Sequence, residues 1–197
     1  MLSIKSNVVN ELIIKKSRFI TFLYRVDSIE DVNKYLADLN NEYKDATHIC
    51  YAYIIDNIKR FSDNGEPGGT AGMPILNVLE SKNLDHILCC VIRYFGGIKL
   101  GANGLVRAYS SSCSSSISCT SIVNLIPGLL CSFSFGYDDT KVIDNLLINS
   151  VIINKTYSDK VSYEFKIDCS YFEKIKSELF KYGDLVIIGD CYIEKDI

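Results

Sequence analysis

Apolar positions follow three rhythms along this chain, and each predicts a different element. Residues 8–26 are rich in Val, Ile and Phe and read as extended structure, interrupted by the basic cluster Lys15-Lys16-Ser17-Arg18. A helix follows. Ser28 with Asp31 three residues on has the form of a capping box, and Ile29, Val32, Leu36, Leu39 and Tyr43 fall on one face. Residues 46–56 and 86–95 are apolar on both sides, which predicts strands covered on both faces of a sheet. Each leads through a glycine-rich loop into a helix, the first over 70–82 and the second starting at Gly101 or Ala102. Leu105, Tyr109, Cys113 and Ile117 keep helical spacing through the serine run 110–116, so a helix with a small-residue face is expected. A flexible linker is the competing reading, because serine is a middling helix former.

A domain boundary is expected near Asn124-Leu125-Ile126-Pro127-Gly128, which divides the chain into domains 1–123 and 124–197. Beyond it the pattern gives strand 129–136, helix 139–149, strands 151–157 and 161–169, helix 171–181 and strand 185–194. That order is β-α-β repeated twice, the split arrangement of ferredoxin-like domains. Strand 161–169 alternates, with Val161, Tyr163, Phe165, Ile167 and Cys169 inward and Ser162, Glu164, Lys166 and Asp168 outward. A sheet that reads RNA exposes stacking aromatics, and here only Tyr192 is a candidate, so this half is not a standard RNA reader.

Charge narrows the picture further. The net charge of −3 argues against a protein that coats nucleic acid. Residues 1–123 hold 13 Lys/Arg against 12 Asp/Glu, whereas 124–197 hold 8 against 12, so a polyanion site belongs in the first part, by local clustering. Eight cysteines occur without any C-x-x-C pair, and Cys89, Cys90, Cys131 and Cys169 sit in strand-like apolar runs. They read as reduced core thiols of a cytoplasmic protein, not as a disulfide or zinc framework. Neither a signal peptide nor an apolar run of ~20 residues is evident, so no membrane partner is expected. No metal and no cofactor is expected either, and the oligomeric state is not legible.

Candidate chemistry gathers in two segments, residues 62–74 (SDNGEPGGTAGMP) and 93–101 (RYFGGIKLG). Glycines let a ligand approach the main chain, and a helix start presents unpaired N–H groups that favour anions. Gly68, Gly69, Thr70, Gly96, Gly97 and Gly101, with Arg93, Lys99 and Arg107 nearby, therefore read as a phosphate-sized or backbone-phosphate site. Glu66, Asp63 and His48 are the catalytic candidates. Two readings of the carboxylates stay open: Asp63 caps a turn while Glu66 pairs with Arg93 or Lys99, or both face a ligand. Arg93 ends its strand on the face of Ile87, Cys89 and Val91, where a guanidinium suits bidentate anion recognition. His48 shares a face with Cys50, Ala52 and Ile54, a setting typical of a hydrogen-bonded core histidine. His86 precedes a strand with no partner in view. Neither G-x-x-x-x-G-K-[ST] nor G-x-G-x-x-G occurs.

These same residues resemble the YigZ/IMPACT family. The match runs through Lys16-Ser17-Arg18-Phe19, His48 with Tyr51, the 62–74 loop and RYFGGIKLGANGLVRAY over 93–109, and extends over essentially the whole chain. The resemblance implies an α+β protein whose N-terminal domain has the fold of the second domain of ribosomal protein S-five. It also implies a ferredoxin-like C-terminal domain similar to the last domains of elongation factor G. The family's eukaryotic members are translation regulators of the amino-acid-starvation response. Three departures matter. Asn64 stands where the family usually has Asp, which weakens a two-carboxylate metal site. Gly101-Ala102-Asn103-Gly104 replaces Gly-Thr-Gly-Gly and removes a hydroxyl near a phosphate. The eukaryotic members bind their partner largely through an extra N-terminal module, and this chain begins with the shared domain, so that partner is not expected. The resulting expectation is a translation-associated regulator that binds RNA, the ribosome or a phosphate-containing small molecule through the two loops. A dipeptidase-like hydrolase using Glu66, with His48 or Asp63 assisting and Arg93 stabilising charge, is one alternative. A protein-binding adaptor is the other.

Overall fold

A computed structural model of the chain describes residues 1–56 and 58–196, which divide into two compact units, Met1–Asn124 and Leu125–Lys195. Among the described residues there are five α-helices and two antiparallel sheets of five strands each. None of these helices is long and apolar enough to cross a membrane.

The first unit is organised by one sheet in the order β2 (Val8–Ile14), β3 (Ser17–Arg25), β6 (Ile87–Tyr94), β4 (His48–Ile55), β5 (Ile58–Ser62). The two-sided apolar pattern has its expected consequence, because the sheet is buried on both faces. One face packs Phe19, Leu23, Cys50, Ala52, Cys89 and Val91 against α2 (Gly72–Ser81) and α3 (Ala102–Ile117). The other packs Ile20, Phe22, Ile49, Tyr53, Cys90 and Ile92 against Val32 and Leu39 of α1 (Ile29–Glu42). The α1 capping box forms: Ser28 Oγ accepts the Asp31 N–H at 3.1 Å and Asp31 Oδ2 accepts the Ser28 N–H at 3.1 Å. Ile29, expected on the buried face, is exposed because it sits in the first turn, ahead of the stretch that meets the sheet.

The serine run is helical, and the linker reading does not hold. Ser112, Cys113 and Ser116 are fully buried, and Ser116 Oγ donates to the Ser112 carbonyl at 2.8 Å. Small side chains let α3 lie close on the sheet. The basic cluster forms a hairpin turn with Ile14 opposite Ser17, and Lys15 and Lys16 both take positive φ, +47° and +66°. Primed two-residue turns require that geometry, which is more often supplied by Asn and Gly. Two strands carry no apolar signal of their own. β1 (Leu2–Ile4) pairs with Ile122–Asn124 of β7 (Ile122–Phe135), and the exposed edge strand β5 is defined by its pairing with β4.

The second unit holds its sheet in the order β8 (Val151–Tyr157), β9 (Val161–Asp168), β7, β10 (Gly183–Asp196), with α4 (Thr140–Leu146) and α5 (Cys169–Leu179) between strands. The element order is the expected β-α-β twice over. The expected helix 139–149 is shorter, because a 3₁₀ turn at Tyr137–Asp139 precedes α4. Val161, Tyr163, Phe165 and Ile167 face the core as their alternation requires, but Cys169 opens α5 instead of ending the strand.

Asp168 is what turns the chain there. Its carboxylate accepts the Tyr171 N–H at 3.0 Å and the Ser170 hydroxyl, capping α5. The Ser170 hydroxyl, and next the Tyr171 amide, hold its carboxyl below the usual aspartate range. A lowered folded value means stability present at neutral pH and lost as pH falls through it. Asp168→Ala is therefore expected to cost about 1 kcal/mol at pH 7. The difference from wild type should narrow as pH falls through the lowered carboxyl value, as read by urea unfolding at a series of acidic pH values against pH 7.

Candidate functional site

β6 is buried along its whole length up to Arg93, its single charged residue, which is 5% exposed. Phe19 of β3 lies opposite on one side and His48 of β4 on the other. The guanidinium lies over the rings of Phe19 and Phe95, at 5.5 and 5.6 Å. A cation in that setting needs a counter-charge, since an unpaired buried charge costs several kcal/mol. Glu66 supplies it: Arg93 Nη1 donates to Glu66 Oε1 at 2.5 Å, with both side chains almost fully buried. Tyr109 from α3 donates its hydroxyl to the same oxygen at 2.8 Å. Burial first, and then the neighbouring Cys50, push the Tyr109 phenol well up, so it stays protonated as a donor.

The 62–72 loop is shaped to deliver that carboxylate. Asp63 Oδ1 accepts the N–H groups of Ala71 and Gly72 at 2.9 and 2.8 Å, and Oδ2 accepts Gly69 N–H at 2.8 Å. The start of α2 is thereby capped from within the loop. Asn64 and Gly65 both take positive φ, +38° and +85°. Asn64 Nδ2 donates to the Ile49 carbonyl at 2.9 Å, a bond that an aspartate at this position could not make. The Asn64 carbonyl meets His48 Nδ1 at 2.9 Å. A Cβ at Gly65 would come within 3.2 Å of the imidazole, so the turn packs directly on His48. Cys50 Sγ–H donates to the Asp63 carbonyl at 2.9 Å, and burial pushes its thiol up to about 12, which makes it a core group and not a nucleophile.

The second loop behaves differently. A Cβ at Gly96 would fall 2.0 Å from the Lys16 backbone, so only glycine lets the chain pass the β2–β3 turn there. The N-cap of α3 is Gly101, with φ +71°, and no side chain caps the helix. The first intrahelical bond is Leu105 N–H to the Gly101 carbonyl at 2.9 Å, which leaves the N–H groups of Ala102, Asn103 and Gly104 without a helical partner. A cavity of about 320 Å³ opens at this helix start. It is lined by His48, Glu66, Arg93, Phe95 and Lys99 together with Gly101, Ala102 and Leu105 at the helix start.

The sequence-derived candidates thus separate. Glu66, His48, Arg93, Lys99 and Gly101 line one cavity. Asp63 is spent on the loop, and so is the amide of Gly69; the Thr70 hydroxyl donates to the Pro67 carbonyl at 2.6 Å. Gly68, Gly69, Thr70, Gly96, Gly97 and Arg107 are not among the lining residues, and Arg107 is exposed along α3. Arg18 is taken by Glu11 at 2.9 Å. His86 has partners after all: its Nδ1 lies 3.2 Å from Asp85 Oδ1, an oxygen that also accepts the N–H groups of Asp56 and His86. Sequence reasoning missed Tyr109 as part of the site. The signal was a phenol on the buried face of a small-residue helix, which requires a hydrogen-bond partner.

Removing one member of the buried pair strands the other. Arg93→Ala is expected to destabilise the protein by about 3–5 kcal/mol. The double variant Glu66→Gln, Arg93→Met should be far less destabilised than the sum of its single changes, as measured by a urea-unfolding mutant cycle. Additive losses would show that the two charges do not support each other.

Residues 15–117 match the Impact N-terminal domain family. The chain is 37% identical over 197 aligned residues to IMPACT family member YvyE of Bacillus subtilis, covering 95% of this chain and 91% of that protein. It is 32% identical over 185 residues to IMPACT family member YigZ of Escherichia coli, covering 89% and 91%. A crystal structure described as that of a hypothetical protein superposes with a TM-score of 0.67 at 30% identity, covering 95% of this chain and 96% of that one.

Proposed function

The chain belongs to the IMPACT family, and from that premise we propose that it is a translation-associated binding protein that holds a phosphate-bearing group in the cavity at the start of α3. The observation that carries the ligand class is the uncapped α3 N-terminus, which meets Lys99 in a concave site. N–H groups that no helical carbonyl takes and a positive helix end favour an anion, and a 16-residue helix presents them on a rigid frame, with Ala102 in the cavity wall. Arg93 contributes little free charge because Glu66 neutralises it. Among the described residues that line the cavity, Lys99 is the one cation without an acidic partner, which suits a single phosphate group better than a long backbone track.

The translation context rests on the family resemblance, whose eukaryotic members regulate translation. The two compact units are read as the family's two domains, the first like the second domain of ribosomal protein S-five and the second ferredoxin-like. A hydrolase centred on Glu66 is disfavoured by geometry. The guanidinium and the phenol on its Oε1 hold the carboxylate in its anionic, weakly basic form, and Asp63 has no oxygen free of the loop amides to assist the other oxygen.

Titration of the labelled protein with 5′-adenosine monophosphate should shift the amide signals of Ala102, Asn103 and Gly104, and Lys99→Glu should abolish the shifts. The affinity should weaken as salt is raised, because the attraction between the lysine and the phosphate is screened. No response at the α3 start would overturn the phosphate reading. Co-sedimentation with ribosomes at low salt, lost in Lys99→Glu, is the expected result for the translation context, and its absence in wild type would remove that context.

A further inference from the structure

One wall of the cavity is chemically opposite to Lys99. His48 Nδ1 lies 2.9 Å from the Asn64 carbonyl, and a carbonyl oxygen can only accept. Nδ1 therefore carries a proton, and in the neutral imidazole the other nitrogen, Nε2, is an acceptor. Nε2 lies 3.8 Å from Glu66 Oε2. That oxygen takes no hydrogen bond from the described residues, because both donors to Glu66, Arg93 Nη1 and Tyr109 Oη, end on Oε1. The two side chains are 20% and 3% exposed, and both line the cavity. Two acceptors thus stand side by side in the cavity wall with no protein donor between them. Water in the cavity is their alternative partner, and a ligand that brings donors matched to both acceptors takes its place.

The dianion of a phosphate ester brings no hydroxyl donor to such a wall. A sugar with neighbouring hydroxyls does, because its two O–H groups can reach two acceptors set this far apart. We infer that His48 and Glu66 read the ribose hydroxyls of a nucleotide whose phosphate sits at the α3 start beside Lys99. The half-exposed ring of Phe95, on the same cavity, offers a stacking surface for the base. Arg93 and Tyr109 are positioning residues in this arrangement: they fix Oε1 and so turn Oε2 toward the sugar. Asn64 and Gly65 do the same for His48 by fixing its tautomer and seating the ring. The inference rests on the phosphate reading above and adds to it a preference for ribose, the feature that distinguishes RNA-type from DNA-type nucleotides.

The test compares the affinities of inorganic phosphate, 5′-adenosine monophosphate and its 2′,3′-dideoxy analogue for the wild-type protein, and of the two nucleotides for His48→Asn. The asparagine amide keeps a donor for the Asn64 carbonyl but lacks the Nε2 acceptor. Wild type should bind the ribonucleotide at least about tenfold more tightly than the dideoxy form, the effect of one to two well-placed hydrogen bonds. In His48→Asn that ratio should fall toward one, and a ratio is insensitive to a general loosening of the cavity. Equal affinities of wild type for the two nucleotides, with phosphate still bound, would overturn the ribose readout and leave the phosphate reading standing. Failure of all three probes to bind would overturn both. Nitrogen-15 spectra of His48 at pH 7.5 should show a proton on Nδ1 alone. A ring protonated on both nitrogens would make the contact with Glu66 an internal ion pair and overturn the inference.

Discussion

A guanidinium on the central strand of a sheet covered on both faces is the constraint from which the rest of the site follows. Arg93 is almost fully buried in that position, and its guanidinium lies over the rings of Phe19 and Phe95. Only an opposite charge brought in from outside the sheet makes the position tolerable, and that charge must itself be anchored. The 62–72 loop meets both requirements at once. Its backbone reverses through Asn64 and Gly65, its amides are gathered by Asp63, and Glu66 is left pointing inward at Arg93. Tyr109 closes the arrangement from α3, so one carboxylate joins a strand, a loop and a helix.

That closure also decides where a ligand can go. The first glycine loop looks like an anion cradle, yet its helix start is already occupied by the side chain of Asp63. Among the described residues, the second loop ends in a helix with no side-chain cap, beside a lysine with no acidic partner, and there the donors remain available. Two similar glycine-rich segments thus take different roles. One builds the wall of the cavity, and the other lends it the positive end of α3.

Much of the frame was legible because burial imposes its own sequence code. The two-sided apolar runs around 46–56 and 86–95 could only be interior strands, and the capping residues at Ser28 and Asp31 mark a helix start by chemistry alone. Elements held by pairing instead of burial were not legible. β1 is three residues long and β5 is mostly exposed, so neither has an apolar rhythm to detect. The Lys15-Lys16 turn was hidden for a related reason: lysine is not a turn signal, and its positive φ is imposed by the flanking strands. Within the site, the Glu66–Arg93 pair could be foreseen as one of two outcomes. The links from Asp63 to Gly69, Ala71 and Gly72, from Asn64 to Ile49, and from Tyr109 to Glu66 join positions that no local pattern relates. The separation of the two glycine loops into a capped and an uncapped helix start depends on those links, so it emerged only in three dimensions.

The central claim is that a phosphate-bearing ligand occupies the α3 start while the Glu66–Arg93 pair stays closed beneath it. A crystal structure of the protein with a bound 5′-ribonucleotide tests this most directly. The account predicts phosphate oxygens within hydrogen-bonding distance of the Ala102–Gly104 amides and of Lys99 Nζ, with Arg93 still bonded to Glu66. A nucleotide seated elsewhere, or one that pulls Arg93 away from Glu66 to meet its phosphate, would contradict it.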